Sequence, residues 1–453
     1  MSTKKNLLIF ISLQTYLRNW IDAGAFSELH NKYNILYVIP EYDWDPREIE
    51  NYGIQNYKVI KQATWRKFLF RRILLVTMVK YSKRSMAFRI KIANFSSVMK
   101  LIHTVVSWDI FYQIFLSLCK FILGRWKGLD QVFNDFKPDL VIAPSLAADS
   151  FTIDFTHTAN KNRIKSLILI NSWDNLVSKG VMPIQPTYVG LWGKQAWDQA
   201  VRVQRIAERK LMILGVPRFE RYFSKDTSSI SIHEVNNIPP DKKIILYPAT
   251  SLPFDDIQAL TTLDNEISTN PMFRDYVILF RAHPEMLPRV EEKNVLDAGL
   301  KNVYIDSQTA KFYFSRFENT SGSYESTINS TSLDYYPALL KSIVGMVCPA
   351  TTLSLEGLIN GKPCVMICYN DGKNHYLSPD QIAKFENVQE ILGLVGVFPC
   401  YEKGILLDNF RKMMELSTDP VISEKIKEAT LAIVYVDELP YASRLSRFVE
   451  KVI

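Results

Sequence analysis

Residues 341–368, KSIVGMVCPATTLSLEGLINGKPCVMIC, narrow the fold more than any other stretch. Residues 343–347 are an apolar, β-prone run that Cys348-Pro349-Ala350 stops, and Thr351-Thr352 offers hydroxyls where a helix begins. A helix over residues 353–359 ends at Asn360-Gly361, and Lys362-Pro363 leads into a second apolar run, residues 364–368. Strand, hydroxyl-rich loop, helix, glycine stop and strand make one βαβ unit, which requires a parallel sheet covered by helices. A helix start with unpaired N–H groups and partial positive charge suits a phosphate, and parallel sheets bind ligands at the carboxyl ends of their strands. With Thr352 as N-cap, a capping box would need its acid at Leu355, so Glu356 falls one residue too late to be tied up there. It is left to face a ligand, for instance by accepting from a ribose hydroxyl. The plain alternative is a surface glutamate on an ordinary turn.

A chain of 453 residues exceeds one typical core, which predicts two domains. With 47% hydrophobic and 22% charged residues, wholesale disorder is excluded. Cys119, Cys348, Cys364, Cys368 and Cys400 form no CxxC pair, and three sit in apolar runs. That usage points to buried thiols in a reducing cytosol rather than to a disulfide framework or a zinc site. The start imitates an export signal, with Lys4-Lys5 before apolar residues 7–13, but no small-residue cleavage site follows before Arg18 and Trp20. It reads as the first strand of a sheet. No stretch reaches membrane-spanning length free of charge, so the expectation is a cytoplasmic chain that is not integral to a membrane.

The net charge of +7 is unevenly placed. Twelve bases fall from Lys58 to Lys100, with no acid between Glu50 and Asp109, while the rest of the chain holds more acids than bases. Residues 63–127 carry a helical period, with Phe68, Ile73, Leu74 and Met78, then Phe111, Ile114, Phe115 and Leu118. Bases interleaved with aromatic and aliphatic residues predict contact between residues 58–100 and an anionic membrane surface or a lipid-linked phosphate. A solvated basic face is the alternative. No glycine-aromatic RNA motif accompanies the charge, so nucleic acid is not expected as a partner.

The remaining chain alternates strand and helix. Residues 7–13, 35–39, 138–144, 164–170 and 189–192 read as strands of a first half, with a helix over 195–211. The Ser- and Thr-rich residues 224–243 read as a linker, after which the rhythm restarts with strands at 244–247, 276–280 and 303–305. The expected domains are therefore 1–223, with the helical insertion, and 244–430. A closing helix, within 431–453, is expected to return to the first domain. Two such halves predict a cleft between them.

Three clusters follow strand ends. Asp174, in NSWDN after residues 164–170, is a candidate general base oriented by Asn175, with Lys179 offering positive charge; helix capping by Asp174 or Asn175 is the competing reading. Arg281 and His283 leave strand 276–280 on one side and suit a diphosphate. Thr351, Thr352, Ser354 and Glu356 form the third cluster.

Together these pieces resemble bacterial glycosyltransferases of the GT-B type and their relatives, the CDP-glycerol glycerophosphotransferases and capsule polysaccharide transferases. SWDNLVSKG is similar in frame to a Trp-His-Gly…Lys segment that supplies the catalytic base of the alditol-phosphate branch. Here Asp174 stands where the His would, and Asn175 where the Gly would. RAHPE (residues 281–285) resembles the Arg-x-His-Pro of that superfamily, and GVPRFERY resembles the Gly-x-Pro-Arg-Phe-Asp that closes its first domain. CPATTLSLEGLINGKP resembles its nucleotide segment. The resemblance implies an α/β fold of two Rossmann-like domains facing across a cleft, with a basic helical insertion in the first. It implies inverting, metal-independent transfer of a sugar from a nucleotide-sugar donor to a hydroxyl of a bacterial surface glycan, O-antigen or capsule. Asp174 would be the base at the inner face of the cell membrane, with no cofactor beyond the nucleotide-sugar co-substrate. Alditol-phosphate transfer or nucleotide-sugar epimerisation on the same fold, and a non-catalytic membrane-associated binding module, are the alternatives.

Overall fold

The computed structural model describes residues 4–41, 44–224, 230–251, 254–283, 295, 297–310 and 331–453. The chain divides into two compact units, Met1–Glu220 with Ala432–Ile453, and Arg221–Leu431.

The first unit is built on seven strands, β1 (Asn6–Phe10), β2 (Asn34–Pro40), β3 (Tyr57–Ile60), β4 (Leu140–Ser145), β5 (Lys165–Ile170), β6 (Tyr188–Leu191) and β7 (Leu211–Ile213). All pair in parallel, in the order β3-β2-β1-β4-β5-β6-β7. The order reverses between β1 and β4, the topological switch of a Rossmann-like sheet, whose carboxyl end is the usual ligand edge. Leu7, Ile9 and Ile11 face a core shared with Tyr16, Trp20 and Leu140. The helix Tyr441–Val452 lays Tyr441, Leu445 and Val449 on that same core, with Tyr441 edge-on to Trp20 at 5.9 Å. The returning chain passes so close to Gly193 that a Cβ there would lie 2.4 Å from the Ile433 carbonyl oxygen.

The basic segment folds as helices Thr64–Lys80, Met86–Ala93, Ser97–Val106 and Asp109–Leu123. Phe70, Ile73 and Val76 pack with Tyr112, Leu116 and Ile153 in a satellite core. Arg66 does not face a membrane as the run of bases suggested. It is buried against Asp154, with Nη2 2.6 Å from one carboxylate oxygen and Nε 2.8 Å from the other, and Gln62 donates to the same group at 2.8 Å. A buried guanidinium needs such a partner, so this base fixes the insertion to the sheet domain. Among the described residues no single helix is long and apolar enough to cross a membrane. Helices Ser97–Val106 and Asp109–Leu123 meet the length and composition only as a pair, bent by 88°.

The second unit holds six parallel strands, β8 (Lys243–Pro248), β9 (Tyr276–Arg281), β10 (Val303–Ile305), β11 (Ile343–Pro349), β12 (Cys364–Ile367) and β13 (Val397–Cys400). Their order, β10-β9-β8-β11-β12-β13, reverses between β8 and β11. Ile245, Tyr247, Ile278, Phe280 and Val347 form its centre, and all five cysteines of the chain are free and buried.

Several local expectations differ from what is found. The helix expected over 195–211 stops at Arg202; a loop and the short turn Glu208–Lys210 follow, and only Leu211 of that span enters edge strand β7. β3 and β13 were likewise not foreseen. Residues 225–229 of the expected linker lie outside the described residues, but the rest of it belongs to the second unit. Ser231 caps a helical turn, Ile232–Val235, and the following Asn236 is buried, donating to Tyr335 at 3.1 Å.

Candidate functional site

Each unit carries one group of candidate residues at the carboxyl end of its sheet. In the first, β5 delivers the chain into Asn171, whose side chain accepts from Trp20 Nε1 at 2.9 Å. Asp174 then precedes a wide, π-type turn, Asn175–Lys179, closed by Gly180 at φ 142°. A Cβ at Gly180 would also lie 2.7 Å from the Ala148 methyl group, so the turn depends on glycine there. Asp174 makes no side-chain cap bond to the turn, which sets aside the capping reading. Its carboxylate is held by side chains instead. Asn175 Nδ2 donates to Oδ1 at 3.1 Å, Ser178 Oγ donates to Oδ2 at 2.7 Å, and Lys179 Nζ stands 3.7 Å from Oδ2. Asn175 is itself fixed, its Oδ1 accepting from the Ser172 N–H at 2.9 Å.

The Asp174 side chain is 24% exposed, enough for a substrate hydroxyl to approach. Burial pushes its pKa up, but the Lys179 ammonium, the hydroxyls of Ser178 and Ser172, and Lys91 outweigh that and hold it below the ordinary aspartate value. Lys91 was not singled out by the sequence. It comes from helix Met86–Ala93 and donates to the Ser178 carbonyl, while Ser85 donates to the Val177 carbonyl at 2.7 Å. Burial, and then the like charge of Lys179, push the Lys91 pKa down to about 8, against the pull of Asp174. Its place in an acid-free run was visible, but nothing in the spacing of residues 86–93 points to residue 178. The group as a whole is an oriented, ionised carboxylate flanked by two ammonium groups.

In the second unit, β11 leads to helix Thr352–Ile359. Its N-cap is Thr351 rather than Thr352, with extended backbone and no capping bond from its side chain. The capping-box position is therefore Ser354, and Glu356 lies two residues beyond it. Thr351 and Thr352 are half-buried. Ser354 does not face a ligand: it is fully buried, and its hydroxyl turns back to the Thr351 carbonyl at 2.5 Å. Glu356 is buried and accepts from the Tyr222 hydroxyl. That tyrosine ends the GVPRFERY segment, a partnership between residues 134 positions apart.

Arg281 is not the open phosphate cation that its place at a strand exit suggested. Its side chain is buried, with Nη1 2.5 Å from Asp306 Oδ2 and Nη2 3.0 Å from the Tyr336 hydroxyl. Tyr335 donates to the other Asp306 oxygen at 3.0 Å and receives Asn236, which closes a buried network. The cause is register. β9 and β10 pair Phe280 with Ile305, so the next residues, Arg281 and Asp306, fall side by side. His283 follows β9 and is half-buried. Pro284 and Glu285 lie outside the described residues. Thr351, Thr352, Glu356 and His283 thus remain at the carboxyl edge of one sheet, with β8 between the strands that carry them.

Comparison with known proteins agrees with this architecture. The family model described as CDP-Glycerol:Poly(glycerophosphate) glycerophosphotransferase matches residues 193–309, a span that includes Arg281 and His283 but neither Asp174 nor Glu356. No curated protein sequence matches the chain. Solved structures match over its whole length. A putative UDP-N-acetylglucosamine 2-epimerase from Listeria monocytogenes superposes with a TM-score of 0.55 at 9% identity, covering 99% of this chain and 96% of that one. S. aureus MnaA in its co-structure with UDP gives 0.52 at 11%, covering 99% and 98%. A glycosyltransferase from Rickettsia africae ESF-5 gives 0.52 at 12%, covering 99% and 98%. At these identities the likeness is one of fold, two Rossmann-like domains of the GT-B kind.

Proposed function

We propose that the chain is a nucleotide-sugar-dependent glycosyltransferase acting with inversion on a hydroxyl of a bacterial surface glycan, at the inner face of the cell membrane. The acceptor oxygen attacks the anomeric carbon of the donor, its proton passes to Asp174, and the bond from that carbon to the nucleoside diphosphate breaks. Glu356 accepts from the donor's ribose. Thr351, Thr352 and His283 take the leaving diphosphate, and no metal is invoked to stabilise it. Arg281 has no part in this, because its guanidinium is spent on Asp306. Asp174 carries the reading: a carboxylate kept ionised by its neighbours, aimed by Asn175 and Ser178, and partly open to solvent.

Thermal shift with UDP, CMP, CDP, GDP and dTDP identifies the nucleotide, since selective binding stabilises the folded state by mass action. A donor of that nucleotide, labelled in the sugar, then reports transfer. Asp174→Asn is expected to keep the nucleotide-induced shift while lowering turnover by about 10²–10⁴-fold. A variant that transfers as fast as the parent overturns the base assignment. Incorporation of phosphate with the sugar would mark an alditol-phosphate transferase, and isomerised donor without acceptor would mark an epimerase.

A further inference from the structure

We propose that the bent helix pair Ser97–Val106 and Asp109–Leu123 is a membrane-insertion edge, seating the first unit in the headgroup region of an anionic bilayer. This concerns where the chain works and is independent of what it transfers. The inner side of the pair is accounted for, since Tyr112, Leu116, Cys119 and Leu123 complete the satellite core with Phe70 and Ile73. The outer side is just as apolar. Leu101 is 67% exposed, Ile110 74% and Phe121 82%, with Trp108, Ile114 and Leu118 between them. A surface helix normally shows one apolar stripe, and a contiguous second one on the outside marks a contact surface.

Charge decides what touches it. Between Glu50 and Asp130 the sequence has a single acid, Asp109, which is ion-paired with Lys80. Helix Thr64–Lys80, packed beneath the pair, exposes Trp65, Phe68 and Arg71, and the Arg72 guanidinium lies over the Phe68 ring at 4.8 Å. Cations standing among exposed rings and aliphatic side chains match an anionic bilayer, which takes the apolar groups below its headgroups and the cations among its phosphates. A second copy of the chain is a poorer occupant, because a two-fold contact would set these cations against themselves. The 88° bend, in helices too short to cross alone, fits a segment lying in the interface plane rather than spanning it. The contact therefore extends past residue 100 and is apolar at its centre, rather than resting only on the bases of residues 58–100.

The test uses the full chain with sucrose-loaded vesicles of phosphatidylcholine, with and without phosphatidylglycerol, and the variant Ile110→Asp with Phe121→Asp. The parent is expected to sediment with the anionic vesicles. A fraction is expected to stay bound at about 1 M salt, where the screening length of about 3 Å leaves only the inserted apolar groups. The double variant should lose partitioning by about tenfold or more, with an unchanged circular dichroism melt and unchanged turnover on a soluble acceptor. A parent that never sediments, or a variant that sediments equally well, overturns the proposal. So does a parent dimer in sedimentation equilibrium that the variant abolishes without any vesicle binding, which would assign the edge to a second copy.

Discussion

The Lys91 ammonium donates to the carbonyl oxygen of Ser178, whose own hydroxyl donates to Asp174 at 2.7 Å. The helical insertion thereby reaches the candidate base through Ser178, and two lysines from separate elements help to hold it ionised.

The pH dependence follows from these two groups. Asp174 lies below the ordinary aspartate value, so the acid limb of the rate profile is expected at a lower pH than a free aspartate would give. Lys91, at about 8, sheds its proton on the alkaline side, and activity should fall there as the carboxylate loses a cation. Lys91→Met should remove the alkaline limb and move the acid limb upward. Stability carries its own signature. Folding lowers the lysine from 10.5 to about 8, so the unfolded chain binds more protons in that window, and stability should rise with pH across it. Urea melts of parent and variant check this; an equal slope in both would remove Lys91 from the account.

Arg281→Met should cost stability rather than binding. It strands Asp306 as a buried, unpaired carboxylate, and losses of about 3–5 kcal/mol follow when one partner of such a pair is removed. Asp306→Asn in the same chain should recover part of the loss. Reduced nucleotide affinity at unchanged urea midpoint would instead return Arg281 to the donor site.

Glu356→Gln removes a charged acceptor from the proposed ribose contact, and nucleotide affinity is expected to fall about tenfold. Tyr222→Phe, which removes only the hydroxyl that positions Glu356, should weaken it less. Calorimetric titration with the nucleotide found by thermal shift compares the two, and equal affinity in Glu356→Gln and parent would clear this residue from the site.

Gly193→Ala tests how the closing segment is seated. Its methyl group would meet backbone, the Ile433 carbonyl at 2.4 Å, and overpacking against backbone typically costs about 1–3 kcal/mol. Limited proteolysis should then release the C-terminal residues sooner than in the parent. An unchanged cleavage pattern would mean that the segment yields without cost.

The central strands were legible because a strand buried on both faces is an uninterrupted apolar run, as in residues 343–347 and 164–170. Of the edge strands, β10 was read, but β3, β7 and β13 were not. Each has only three or four residues, several of them partly exposed, and what makes it a strand is the backbone pairing offered by a neighbour. The site divides in the same way. Asp174, Asn175 and Lys179 lie within one turn, so their grouping could be read from six consecutive residues. Lys91 joins them from 87 positions before Ser178 and could not.

The sequence by itself determined two parallel α/β sheets, the polar loops at their strand ends, and a helical segment almost empty of acids, because burial and helical period are written in neighbouring residues. Tertiary structure alone decided which polar groups were consumed. Parallel register set Arg281 beside Asp306, a turn of backbone drew Ser354 inward, and Asp154 claimed Arg66. The physical reason is that a buried charge or hydroxyl must find a partner, and that partner is chosen by proximity in space.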